Sequence, residues 1–230
     1  MKKTRCEFSL KGFCLHFTAA GLLIAAVISV FCFASTETTM GDVQRIVYFH
    51  VPVAWFGMIA FLAMAISGSL YLRSRDIWWD HWSQAFAEVG WLCCTLTVVI
   101  GSLWARAAWN TWWTWDPRLT TVFLLWAMYS GYLILRANLD DPMQSARFRA
   151  VLAIVGALDL PMIVLAARWF RGMHPVAPQM EPSMRAILAI SIAAFSMLFV
   201  LLLLRRRAQL ELASRIASLE QNSGLESIAS

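Results

Sequence analysis

The sequence predicts an all-α integral membrane protein, with six transmembrane helices in one bundle, both termini in the cytoplasm and a tryptophan-rich loop on the far side. Three observations carry this. Of 230 residues, 60% are hydrophobic and only 14% charged, with a mean hydropathy of +0.62; a soluble domain of this length needs far more charge to cover its surface. Six apolar stretches are long enough to cross a hydrocarbon core of about 30 Å, which takes roughly 20 helical residues. Thirteen of the nineteen Lys and Arg residues fall on one side of those stretches, the bias that marks cytoplasmic segments.

The spans are expected near Phe17 to Ala34, Val53 to Leu72, Ala85 to Trp104, Leu119 to Leu135, Phe148 to Phe170, and Ala186 to Leu204. The first follows Lys2, Lys3 and Lys11 as a signal peptide would. No small-x-small cleavage pattern comes after it and five more spans do, so it reads as a retained helix. The transmembrane domain is then residues 1–204. Beyond it, Leu210, Leu212, Ile216 and Leu219 keep a helical apolar spacing, so residues 205–230 are expected to extend the last helix into the cytoplasm and then fray. No internal repeat is visible.

The net charge of +5 and pI near 9.2 do not indicate nucleic acid, because the basic residues form short clusters between apolar runs and no continuous basic face. Five cysteines (Cys6, Cys14, Cys32, Cys93 and Cys94) show no Cys-x-x-Cys spacing, which argues against a disulfide framework, a zinc knuckle or a redox dithiol. Cys93 and Cys94 lie in an apolar run and read as packing residues. The absence of Cys-x-x-Cys-His also means that the chain does not itself carry covalently attached haem.

With this topology three loops face the far side: residues 35–51, ending in Tyr48-Phe49-His50-Val51-Pro52; residues 105–118; and residues 171–185. The second and its flank hold Trp104, Trp109, Trp112, Trp113 and Trp115, five indoles within twelve residues, followed by Asp116-Pro117-Arg118. An aromatic belt at the interface accounts for Trp78, Trp79 and Trp82. It accounts less well for this cluster, since a belt needs neither fixed spacing nor an Asp-Pro-Arg behind it. A shelf of indoles is what a planar macrocycle packs against.

Of the four histidines, His16 and His81 lie near helix ends on the cytoplasmic side and read as structural. His50 and His174 fall in the two loops flanking the tryptophan cluster, each close to a helix-stopping or helix-starting proline, Pro52 and Pro175. Neutral imidazole is a common iron ligand, and two could take both axial positions of one haem. Arg106 and Arg118 frame the loop. They are candidates for clamping haem propionates, for anchoring lipid phosphates, or for pairing with Asp116. Asp159, mid-span, reads as a protonated or paired structural residue two before a kink at Pro161, and Glu88 as a solvated helix cap.

The segment Trp109-Asn110-Thr111-Trp112-Trp113-Thr114-Trp115-Asp116-Pro117-Arg118-Leu119-Thr120 resembles the WWD signature of haem-handling proteins of cytochrome c biogenesis. Its ending is similar to the Trp-Asp-x-Arg-Leu-Thr of the cytochrome c maturation protein C (CcmC) family. Tyr48 to Pro52 and Leu160-Pro161-Met162-Ile163 resemble further family segments. The resemblance implies a non-enzymatic haem carrier of the bacterial inner membrane, multi-pass, with its functional loops in the periplasm. It would present non-covalent, transient haem b and pass it to a CcmE-type haem chaperone, alongside a CcmD-type small membrane protein and the CcmAB ABC transporter. By matching position, His50 and His174 would be the axial ligands, and the WWD loop (residues 104–120) would hold haem and meet the chaperone. The family usually has glycine where this chain has Ala105 and Asn110, which predicts a stiffer loop. Two other readings compete. A bis-histidine electron-transfer cytochrome would place its ligands within the spans, and a secondary transporter would need an intramembrane polar pathway.

Overall fold

The computed structural model describes residues 2–38, 40–137, 142–170 and 180–229. Their secondary structure is helical throughout, apart from one isolated bridge between Glu37 and Gly41. Seven α-helices follow in order: α1 (Lys2–Ile28), α2 (Val47–Ser74), α3 (Ile77–Trp109), α4 (Pro117–Ala137), α5 (Pro142–Ala157), α6 (Asp159–Trp169) and α7 (Pro182–Ala229). Among the described residues, five helical stretches are long and apolar enough to cross a membrane: Phe13–Phe33, Asp42–Ser74, Ile77–Trp109, Met143–Trp169 and Pro182–Glu220. The remaining predicted span lies in α4. That helix is diluted by Thr120, Thr121, Ser130 and two buried tyrosines, Tyr129 and Tyr132. Large apolar side chains such as Phe31, Trp55, Ile66 and Val99 stand exposed on the outer faces of the bundle, as lipid contact requires and water would penalise.

α2 and α3 form the centre. α5 and α7 pack on α2, α7 also covers α1 and α3, and α4 lies between α3 and α6. The predicted fifth span is two helices. α5 ends at Ala157, Leu158 forms a turn, and α6 restarts at Asp159. Pro161 supplies the cause, because it cannot donate to the carbonyl four residues earlier and its ring crowds that carbonyl. Beyond the break, α6 leans on α4.

Two loops are shorter than the sequence suggested. α2 begins at Val47, and a 3-10 turn over Asp42–Ile46 leads into it. His50 therefore sits on a helix rather than in a loop, and Pro52 lies inside the helix and does not start it. A proline this close to the end costs only the bond to the Tyr48 carbonyl. Similarly, α3 runs to Trp109, so residues 105–109 are helical. α7 is unbroken for 48 residues, about 72 Å at 1.5 Å per residue. It outruns any bilayer, and the expected fraying of its polar end is not seen.

The end of the bundle away from the tryptophan loop is tied by charge. Asp80, 2% exposed, takes both Nε (3.2 Å) and Nη2 (2.8 Å) of Arg149 and the amide of Gln84 (2.6 Å). Glu88 bridges Arg136 of α4 and Arg206 of α7. This corrects the reading of Glu88 as a solvated cap: half-buried, it joins three helices. His16 faces Arg205 of α7 at 3.0 Å, and His81 is buried beside Asp80, so both remain structural.

Candidate functional site

One face of α2 builds the site. His50, Ala54, Gly57 and Phe61 recur at spacings of four and three, so they share one stripe, and all four line a cavity. From His50 to Phe61 the stripe covers about 16 Å at 1.5 Å per residue. α3 supplies the facing wall with Cys94, Thr97, Gly101 and Trp104; α4 adds Arg118, Val122 and Leu125, and α6 adds Ile163. The tryptophan loop closes the upper wall with Thr111, Trp112, Trp113 and Asp116. Counting its open mouth and the solvent space there, the cavity spans about 1060 Å³ of space not occupied by protein atoms.

The loop is held by its own polar residues. α3 ends on Asn110, whose backbone is left-handed (φ 56°) and whose N–H donates to the Arg106 carbonyl at 3.1 Å. Glycine adopts this conformation without strain and asparagine is the best-tolerated substitute, so Asn110 keeps the turn that a glycine would make. Arg106 donates to the Asn110 carbonyl at 3.0 Å and lies 5.9 Å over the Trp112 ring. At the other end Asp116 is the N-cap of α4. Its Oδ1 accepts from the N–H groups of Arg118 and Leu119, both at 3.0 Å, and its Oδ2 accepts from the Thr114 hydroxyl at 2.8 Å. Pro117 then occupies the first helical position, where no N–H is needed. The carboxylate of the Trp-Asp motif thus acts first on the chain itself.

Of the predicted site residues, the fold brings His50, Trp104, Trp109, Trp112, Trp113, Asp116 and Arg118 onto one cavity. Arg106 and Trp115 are not on its wall. Arg106 caps α3, and Trp115, 71% exposed, packs edge-on against Trp113 (5.8 Å) and Phe123 (5.7 Å). His174 lies outside the described residues. His50 is buried, with its ring 5.9 Å from Trp104 at a steep angle of 64°. Trp113 has a buried Nε1 with no hydrogen-bond acceptor among the described residues. Asp159, expected to be either protonated or paired, is half-buried, and its Oδ2 has no partner among the described residues.

Sequence reasoning missed the lower half of the cavity: Gly57, Met58, Phe61, Cys94, Val122, Leu125 and Ile163. The one usable signal was the four–three spacing on α2, which joins His50 to Gly57 and Phe61. The α3, α4 and α6 members look like any core residue. The wall is aromatic and apolar, with one imidazole, one guanidinium and an unsatisfied indole N–H. That set suits a flat apolar ligand with an iron centre and an anionic edge. Among the described residues, His50 is the histidine on the cavity wall.

The sequence pattern of the family described as Heme exporter protein C matches residues 6–222. The chain is 35% identical to a protein named Heme exporter protein C from Bradyrhizobium diazoefficiens, over 91% of this chain and 88% of the relative. It is 31% identical to the protein of the same name from Rhodobacter capsulatus, over 86% of each, and 32% identical to that of Escherichia coli K12, over 78% of this chain and 75% of the relative.

Proposed function

Because the chain belongs to the Heme exporter protein C (CcmC) family and so handles haem in cytochrome c biogenesis, we propose that it holds haem b non-covalently and transiently and delivers it to a CcmE-type chaperone. The observation that carries this reading is the single cavity shared by His50, four indoles of the WWD segment and Arg118. Iron would be bound by His50 and His174, the porphyrin face would lie on the indoles, and Arg118 would meet a propionate. A surface open to water at one end suits hand-over. Lysine and arginine placement supports an orientation with the cavity on the non-cytoplasmic side, which would be the periplasmic face of a bacterial inner membrane. A CcmD-type small protein and the CcmAB transporter would complete the assembly. The step is carriage, with no catalytic chemistry assigned to any residue.

The test is a transfer assay. Protein purified from cells lacking the chaperone should contain haem, and added apo-chaperone should remove it. His50→Ala and His174→Ala should each abolish transfer while insertion in the membrane stays normal. Normal delivery by both variants defeats the ligand assignment. Haem that stays bound and cycles between redox states without transfer favours an electron-transfer cytochrome, a reading to which the helical, buried position of His50 lends some weight.

A further inference from the structure

α3 carries a glycine, Gly101, well inside a helix of 33 residues, where glycine costs about 1 kcal/mol relative to alanine. Its neighbourhood gives a reason. A Cβ built there would stand 3.1 Å from Cε1 and 3.8 Å from Nδ1 of His50, and among the described residues no other atom beyond the local helix backbone and the chain neighbours comes within 4 Å. Among those residues it is the imidazole that takes up the room of the missing side chain. Gly131 on α4 is the contrast, because a Cβ there would meet nothing within 4 Å.

The contact also fixes how the ring is turned. Seen from where a Cβ would stand at 101, Cε1 is the nearest ring atom, Nδ1 comes next and is buried, and Nε2 lies beyond 4 Å. One helical turn on, Trp104 lies edge-on to the same ring at 5.9 Å. Residues three apart on a helix share a face, so Gly101 and Trp104 together make the seat: one leaves the space, the other bounds it. A methyl group at 101 would push the ring by a few tenths of an ångström. That shift uses up much of the about 0.5 Å within which a binding constellation must be held.

We propose that Gly101 is a positioning residue for haem capture: it lets the His50 imidazole seat edge-on against α3, which holds Nε2 as the nitrogen offered to iron. This rests on His50 being a ligand, as proposed above. Gly101 also lines the cavity, and its part in this proposal is played through the ring.

The test uses the full chain, loaded with haem and purified, and compares optical spectra and haem retention of Gly101→Ala, His50→Ala, the double variant and Gly131→Ala. Gly101→Ala should retain haem about tenfold less well, in line with the roughly 10–100-fold effect of groups that orient metal ligands. Its low-spin spectrum should be weakened and restored by added imidazole, and Gly131→Ala should match the parent. If Gly101→Ala fails to accumulate, the double variant decides: removing the imidazole should relieve the clash and return accumulation to the level of His50→Ala. A Gly101→Ala spectrum like the parent's, with His50→Ala defective, overturns the positioning role and leaves the ligand reading standing. A defect that neither imidazole nor loss of His50 relieves overturns it too, as a packing fault of α3. A parental spectrum in His50→Ala sinks both.

Discussion

The two halves of α2 use one face in opposite ways. The stripe His50, Ala54, Gly57, Phe61, Met64, Gly68 and Tyr71 keeps spacings of four and three along most of the helix. In its second half the stripe is sealed: a Cβ at Gly68 would come within 3.2 Å of the Ala150 backbone on α5, and Tyr71 is buried with Ala146 and Ala150. In its first half the same stripe lines the cavity. The difference arises in the partner. α5 follows α2 until the chain breaks at Leu158, after which α6 leans towards α4 and leaves the upper stripe uncovered. A periodic face is therefore no guide to whether it meets a helix or a ligand. What covers it is settled by a proline on another element.

The sealed end should be the most costly to disturb. Arg149→Met leaves Asp80 buried without its guanidinium, and breaking one side of such a pair costs about 3–5 kcal/mol. Thermal unfolding in detergent should show a large drop in Tm, and an unchanged Tm would mean that the pair does not hold this end. Gly68→Val should come next, forcing α2 from α5 at a cost of about 1–3 kcal/mol, with lower accumulation in the membrane as the readout.

The open end should respond in its binding before its stability. Asp116→Ala removes the cap of α4, worth about 0.5–2 kcal/mol, and should loosen the tryptophan loop and reduce haem retention. Asp116→Asn keeps the cap and should retain haem like the parent. If both variants lose haem equally, the charge matters and the cap does not. Pro161→Ala sharpens the contrast most directly. It restores the missing N–H, and the α5–α6 helix should straighten over the upper stripe, with a slightly higher Tm and severalfold weaker haem retention. Retention equal to the parent's would show that the break is not what keeps the cavity open.

Much of this was legible in the residues. Bulk hydropathy and apolar runs gave the class, and the tryptophan cluster with its Asp-Pro-Arg gave the loop. Element ends are poorly legible. The sequence puts His50 and Ala105 in loops, yet α2 already begins at Val47, led in by the 3-10 turn, and α3 runs on to the left-handed cap at Asn110. Glu88 was misread because its partners, Arg136 and Arg206, lie 48 and 118 positions away, and no local pattern joins them.

The sequence by itself determined the solvent each helix faces, because transfer of apolar side chains out of water depends on composition and run length alone. It also determined the chemistry at the cavity mouth, since indoles, imidazole and guanidinium are legible as residue types. Only the tertiary structure decided that Glu88 joins three helices, that Trp115 turns away while Trp113 lines the wall, and that Gly101 is a seat for His50. Those are facts of distance between helices, set by packing and by the break before Pro161, and distance between segments has no local code in a chain.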